Sequence, residues 1–184
     1  HGDSGNSRLM TTIEADDAGT TDKPLIDQTI GANLADTAAR HGDREALVVV
    51  HQDIRQTWRE FNDTVDAVAK GLLAYGIEAG DRVGMWSPNF AEWVYIQYAT
   101  ARIGAIQVNI NPAYRTNELQ YALEQSGCRL LVTRTEYLTS MYRDMVEEVS
   151  GSLPDLERTI YFDTEDWAQL LAAGEEVTTD ELDA

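Results

Sequence analysis

The sequence predicts an α/β fold, a mainly parallel sheet flanked by helices, and three observations carry that reading. Strand and helix patterns alternate from residue 82 onward, the signature of βαβ units. The stretch 90–103 is helical in spacing yet apolar on nearly every face (Phe90, Trp93, Val94, Tyr95, Ile96, Tyr98, Ala99, Ile103), so it should be buried on several sides. The predicted strands 82–86, 105–110 and 128–133 each run into a polar elbow. Ligands usually dock at such carboxyl ends in α/β sheets.

Taken in order, residues 1–27 are rich in Gly, Ser, Thr and Asp, and are expected to be disordered. Ile30, Leu34, Thr37 and Ala38 recur at helical spacing until Gly42 ends the helix. Residues 45–50 and 53–57 predict two short strands around a polar turn, a hairpin at an edge. Thr57-Trp58-Arg59-Glu60 is a capping box opening a helix whose apolar face is Phe61, Val65, Val68 and Leu72, with Gly76 just past its end.

After strand 82–86, Asn89 with Glu92 three residues on predicts a second cap, for helix 90–103, and Gly104 closes that helix. Strand 105–110 follows. Thr116 is expected to cap a helix through Gln125, and Gly127 to stop it before strand 128–133. Leu138, Met141, Tyr142, Met145 and Val149 predict the apolar stripe of a further helix ending near Gly151. Strand 158–162 and a short helix 165–173 come next, then an acidic tail, 174–184, expected to be mobile. The domain so defined spans 28–173.

The 184 residues suit one domain or a large piece of one. Net charge is −18. From Asp144 to Ala184 thirteen Asp and Glu face Arg158 alone, so most of the excess sits at one end of the chain. Such acidity argues against nucleic acid or an anionic membrane as partner, since both reward Lys and Arg. It suits a solvated surface, or else a docking face for a basic partner. No apolar stretch approaches bilayer-spanning length, and no signal-peptide pattern opens the chain, which points to the cytoplasm. Met10 could be a start, with residues 1–9 an upstream extension. Cys128, the only cysteine, opens an apolar strand and reads as a small buried hydrophobe. His1, His41 and His51 have no metal-ligand spacing, so no metal site is expected.

The sequence contains no Gly-x-x-x-x-Gly-Lys-Ser/Thr loop, no Gly-x-Gly-x-x-Gly fingerprint and no Gly-x-Ser-x-Gly elbow, and no catalytic residue is assigned. What remains are the strand-end loops 87–89, 109–115 and 134–136. If their strands are parallel and adjacent, the three loops share one sheet edge. Asn111 and Tyr114 could then offer hydrogen bonds to a ligand, and Arg115 or Arg134 could meet a phosphate. The structural alternative is that Ser87-Pro88-Asn89 and Asn111-Pro112 simply turn the chain.

Five segments in fixed order resemble the acyl-adenylate-forming superfamily, and fatty-acyl-CoA synthetases especially. Thr57-Trp58-Arg59-Glu60-Phe61 is similar to that family's Tyr-x-Glu-Leu segment. Gly80-Asp81-Arg82-Val83-Gly84, followed by Asn89 and Glu92, resembles its next landmark. Arg102-Ile103-Gly104-Ala105, then Val108-Asn109-Ile110-Asn111-Pro112-Ala113-Tyr114-Arg115, then Glu118-Leu119, Tyr121, Leu123 and Ser126 complete the likeness, which covers about 29–173.

The resemblance implies part of the N-terminal domain of an enzyme that activates a fatty acid with ATP and magnesium. The acyl-adenylate and pyrophosphate form first, and the acyl group then passes to coenzyme A. The family's phosphate loop, adenylate-binding motifs and catalytic lysine would all lie beyond Ala184, so this chain alone is expected neither to bind these cofactors nor to adenylate. Some relatives contact coenzyme A near this region, which adds Arg143 to Arg134 as a candidate, although the local arginine pattern does not match. The remainder of the enzyme, or a second copy, is the implied protein partner. The competing reading is a truncated dimerisation or acyl-binding module without catalysis, motivated by helix 90–103.

Overall fold

The computed structural model describes residues 25–183. The expectation for residues 1–27 therefore falls, up to residue 24, outside the described residues. Leu25 and Ile26 are exposed.

Helix α1 (Ile30–His41) is capped by Thr29, whose hydroxyl accepts from the Ala32 amide at 3.1 Å. Strands β1 (Glu45–Val49) and β2 (Ile54–Thr57) form the antiparallel hairpin. A 3-10 turn, Val50–Gln52, and a left-handed Asp53 (φ 54°) join them. The Thr57–Glu60 capping box is present and opens α2 (Trp58–Ala74), which buries Phe61, Val65, Val68 and Leu72 as its spacing predicts.

Four strands make one parallel sheet: β3 (Arg82–Trp86), β4 (Ile106–Ile110), β5 (Leu130–Thr133) and β6 (Arg158–Tyr161), in the order β4-β3-β5-β6. The connecting helices are α3 (Ala91–Arg102), α4 (Thr116–Ser126) and α5 (Tyr142–Ser150), and α6 (Glu165–Gly174) follows β6. Alternate residues of each strand face opposite sides. Val83, Met85, Leu130, Val132 and Ile160 join the core with α2, α3 and α6, while Trp86, Ile110 and Leu131 join the core with α4 and α5. The sheet is thus covered on both faces, as parallel sheets require.

Four expectations are corrected. Asn89 does not cap α3: the N-cap residue is Phe90, and the first helical amide, Ala91 N, donates to Oε1 of Gln52 at 2.7 Å. Thr116 is the first residue of α4 rather than its cap, and the Glu118 carboxylate accepts from the Arg115 amide at 3.1 Å. Leu138 and Met141 lie outside the α5 stripe, which is Tyr142, Val146 and Val149. Finally, the acidic segment expected to be mobile carries a short helix, α7 (Thr179–Asp183). Its Thr178–Glu181 hydrogen bonds reproduce a capping box, Leu182 is only 5% exposed, and Asp183 pairs with Arg102. One apolar side chain and one ion pair hold down a stretch whose composition alone reads as solvated.

Candidate functional site

The three predicted loops do share one edge, because β4, β3 and β5 are parallel neighbours. The floor beneath them is aromatic. Trp86 is fully buried at the end of β3, its indole packed 4.3 Å from the Tyr142 ring between centroids. The Trp86 Nε1 donates to the Asn111 carbonyl (3.0 Å), and the Tyr142 hydroxyl donates to the Pro112 carbonyl (3.0 Å). Two rings from different elements thereby fix the Asn111-Pro112 elbow. Burial pushes the Tyr142 phenol above its ordinary value, so the hydroxyl stays a donor at neutral pH. Thr133 ties the next strand in, its Oγ1 donating to the Trp86 carbonyl at 2.7 Å.

On that floor the candidates divide. Asn111 spends its side-chain oxygen locally, accepting from the Ala113 amide at 2.9 Å in an Asx turn. Tyr114 is exposed and its ring faces no described aromatic partner. Arg115 is exposed and donates to the Ser140 hydroxyl (2.8 Å), which links the second loop to the third and leaves other N–H groups of the guanidinium uncommitted. Arg134 is more enclosed. Its guanidinium lies 4.3 Å over the Phe90 ring and 5.7 Å from Phe162, and it pairs with Asp163 at 3.5 Å. Asp163 in turn accepts from the Thr135 amide and hydroxyl. Arg143 stacks 4.5 Å over Tyr161 at the start of α5. The sequence thus brings Asn111, Tyr114 and Arg115 onto one elbow, while Arg134 and Arg143 sit on the flanking loop and helix with aromatic partners of their own.

Two features of this edge were not foreseen from sequence. Leu138 sits at the tip of a tight turn closed by Tyr137 and Ser140, with φ 53° and 85% of its surface exposed. A left-handed leucine is strained as well as solvated. Beside Phe90, the hairpin residues Val48–His51 and the α3 residues Trp93 and Val94 line an apolar groove of about 450 Å³. His51 meets the Phe90 ring edge-on at 5.0 Å. No local pattern marks this groove, because its walls are forty residues apart in the chain. Among the described residues no three His, Cys, Asp or Glu side chains gather as metal ligands. These residues therefore offer no ready-made magnesium cage of their own.

The AMP-binding enzyme family matches residues 34–183. The chain belongs to that family. Medium-chain acyl-CoA ligase ACSF2 of the mouse, a mitochondrial protein by its name, is 44% identical over 140 residues, which are 76% of this chain and 22% of that enzyme. The human ACSF2 is 41% identical over 158 residues, 79% of this chain and 26% of the enzyme. The chain therefore spans only about a quarter of the length of these curated relatives. Among solved structures, the N-terminal domain of FACL13 from Mycobacterium tuberculosis superposes with TM-score 0.72 at 24% identity, covering 84% of this chain and 38% of that one. A long-chain-fatty-acid-CoA ligase, FadD1 of Archaeoglobus fulgidus, gives 0.75 at 21% identity, covering 86% and 32%. Those two likenesses show the fold: the parallel sheet with flanking helices is that of the N-terminal domains of adenylate-forming enzymes.

Proposed function

We propose that this chain is the scaffold portion of an ATP-dependent fatty-acid–CoA ligase, converting fatty acid, ATP and coenzyme A to acyl-CoA, AMP and pyrophosphate. The observation that carries it is the convergence of three strand-end loops on one edge of a sheet, in a chain whose relatives are named acyl-CoA ligases. The chain's own residues supply position rather than chemistry. Trp86 and Tyr142 hold the Asn111-Pro112 elbow, and the elbow presents Tyr114 and Arg115 outward. Arg115 is best placed to meet an anionic group such as a coenzyme A phosphate, because it stands exposed on the elbow itself and commits only one donor, to Ser140. Arg143 is second. Asn111 shapes the turn, and Arg134 is held by Phe90 and Asp163.

Residues 1–184 by themselves form no acyl-adenylate on this reading. Phosphoryl chemistry needs positioned cations and loop amides, and the sequence contains no Gly-x-x-x-x-Gly-Lys-Ser/Thr loop to supply them. Among the described residues no helix is long and apolar enough to cross a membrane. A cytoplasmic location belongs to the same proposal, and fractionation of the expressing cell decides between it and the mitochondrial setting named for ACSF2.

A chimera tests the function. Residues 34–183 replace the matched segment of mouse ACSF2, and acyl-CoA formation from medium-chain fatty acids is measured beside an adenylation assay on residues 1–184. The chimera should be active and the short chain silent. A folded but inactive chimera, or turnover by the short chain, would sink the proposal.

A further inference from the structure

We propose that Ser140 is a positioning residue for Arg115: its hydroxyl holds the guanidinium so that the Nε–Nη2 edge stands ready as a fork for a phosphate of coenzyme A. This rests on the function proposed above, which gives Arg115 an anionic partner. Arg115 is gripped at both ends. Its amide donates to the Glu118 carboxylate at 3.1 Å and its carbonyl accepts from the Leu119 amide at 2.9 Å, so the start of α4 fixes the main chain. At the far end, Nη1 donates to Ser140 Oγ at 2.8 Å. A guanidinium meets a phosphate best through two parallel N–H groups. With Nη1 engaged, the edge that keeps both donors free among the described residues is Nε–Nη2.

Ser140 is itself held. Its loop is pinned where it leaves β5, because Asp163 accepts from the Thr135 amide at 2.8 Å and from the Thr135 hydroxyl at 2.7 Å. It is pinned again where α5 begins, the Arg143 amide donating to the Thr135 carbonyl at 3.0 Å. Between these points Tyr137 and Ser140 exchange two backbone hydrogen bonds, each of 2.9 Å. The turn so closed carries Leu138 at φ 53°. A strained non-glycine residue persists only where its surroundings over-determine it. Packing does not account for it, since Leu138 is 85% exposed. What the turn delivers is the half-buried Ser140 hydroxyl, within reach of Arg115.

A lone hydrogen bond between a serine and an exposed arginine would count for little. This one is backed by a second tie between the same two loops. Two residues beyond Ser140, the Tyr142 hydroxyl donates to the Pro112 carbonyl at 3.0 Å, and Pro112 lies three residues before Arg115. The spacing between turn and elbow is thus set from below by Tyr142 and from the side by Ser140. An arginine without such a hold samples many rotamers, and a ligand then meets the entropy of ordering it. Ser140 meets part of that cost during folding, before any ligand arrives.

The ACSF2 chimera carrying residues 34–183 tests this, with coenzyme A and dephospho-coenzyme A as probes. Ser140→Ala should raise the KM for coenzyme A roughly two- to tenfold, the affinity lost when a long side chain must be ordered on binding, with kcat and the KM for ATP unchanged. Ser140→Thr, which keeps the hydroxyl, should restore it. Leu138→Pro forbids a positive φ at the tip and should reproduce the Ser140→Ala loss, whereas Leu138→Gly should not. Arg115→Ala should cost more, and adding Ser140→Ala to it should cost nothing further, because the two act as a unit. A loss shared by dephospho-coenzyme A assigns the fork to the diphosphate, and a loss confined to coenzyme A assigns it to the 3′-phosphate; either supports the proposal. In residues 1–184, NMR relaxation at the Arg115 Nε–H should show order that Ser140→Ala removes. Unchanged order overturns the proposal, as does a Ser140→Ala loss that persists in full on top of Arg115→Ala. An inactive chimera, or an Arg115→Ala variant with the KM for coenzyme A untouched, overturns the function proposed above, and this inference falls with it.

Discussion

Gln52, in the turn of the β1–β2 hairpin, caps a helix that begins thirty-nine residues later, its Oε1 accepting from the Ala91 amide at 2.7 Å. Its Nε2 donates to the Glu92 carboxylate at 2.9 Å, so one amide side chain satisfies the first turn of α3 from both sides. Gln56, on the same hairpin, accepts from the Tyr95 hydroxyl at 2.9 Å. The Tyr95 phenol is pushed up to about 12 by burial and by nearby Glu92, which keeps it a donor. The hairpin is thereby fastened to α3, and it forms one wall of the groove beside Phe90.

Removing the Gln52 amide should therefore act as loss of a helix cap. Gln52→Ala is expected to cost about 1 kcal/mol, and to lower the midpoint of thermal unfolding by roughly 2–4 °C. Asn89→Ala, at the position that the local sequence marks as the cap, should be neutral within about 0.5 kcal/mol. Circular dichroism melts of the two variants decide it, and the reverse ranking would restore Asn89 as the cap.

That contrast locates the limit of the sequence. The Thr57–Glu60 box was legible because its partners are three residues apart, and the apolar face of α2 because one helix carries all of it. The parallel order followed from alternation of patterns. Gln52 was not legible, since a polar residue in a turn has no local feature that distinguishes a long-range acceptor from a solvated side chain. Leu182 failed likewise: one apolar residue in an acidic run sets no periodicity, yet it finds a place in the core. In the candidate site, the convergence of the loops was legible. The Trp86–Tyr142 floor was not, because it joins a strand to a helix fifty-six residues away.

The crossing of α2 and α6 is another such long-range fit, built on Gly71 and Gly174. A Cβ at Gly71 would stand 2.5 Å from the Leu170 carbonyl oxygen, and one at Gly174 would stand 2.6 Å from the Gly71 amide nitrogen. Gly71→Ala should cost about 1–3 kcal/mol through overpacking, despite the better helix propensity of alanine. Gly151→Ala is the control, since a Cβ there meets nothing within 4 Å and its φ of −66° suits alanine. Urea unfolding compares them. Equal midpoints for the two variants would mean that the helices can move apart freely.

At the opposite edge of the sheet from the candidate site, Arg129 bridges Asp81 and Glu157 and donates to the Gly76 carbonyl at 3.1 Å. The Arg129 guanidinium holds the Glu157 carboxyl below its ordinary value. Burial pulls Asp81 upward, but the Glu78 amide and Arg129 outweigh it, and its net shift is also down. Both folded values lie below the unfolded ones, so the stabilisation is complete above pH 4.5 and is lost as pH falls through the depressed values. Wild type should thus lose stability more steeply than Asp81→Asn between pH 5 and pH 3, and the gap between them should narrow. Chemical unfolding across that range measures it, and parallel curves would deny Asp81 any role.

Charge makes the last prediction, and two effects compete in it. Added salt weakens the exposed ion pairs, such as Arg55–Glu45 and Arg59–Asp43, each worth about 0–1 kcal/mol. It also screens the mutual repulsion of 32 acidic groups that face only 14 Lys and Arg. Repulsion should win, because the excess is concentrated: helices α6 and α7 carry no basic residue, and they pack on α2. The Debye length falls from about 10 Å at 0.1 M to about 3 Å at 1 M, so the gain should level off near 1 M KCl. Chloride is the right anion for the test, since sulfate would also strengthen apolar burial. The thermal midpoint of residues 1–184 should rise with KCl. Glu175→Gln with Glu176→Gln and Asp180→Asn, three positions whose side chains make no hydrogen bond or ion pair among the described residues, should raise the low-salt midpoint and flatten the dependence. A midpoint that falls with KCl would show that the ion pairs, not the net charge, dominate this surface.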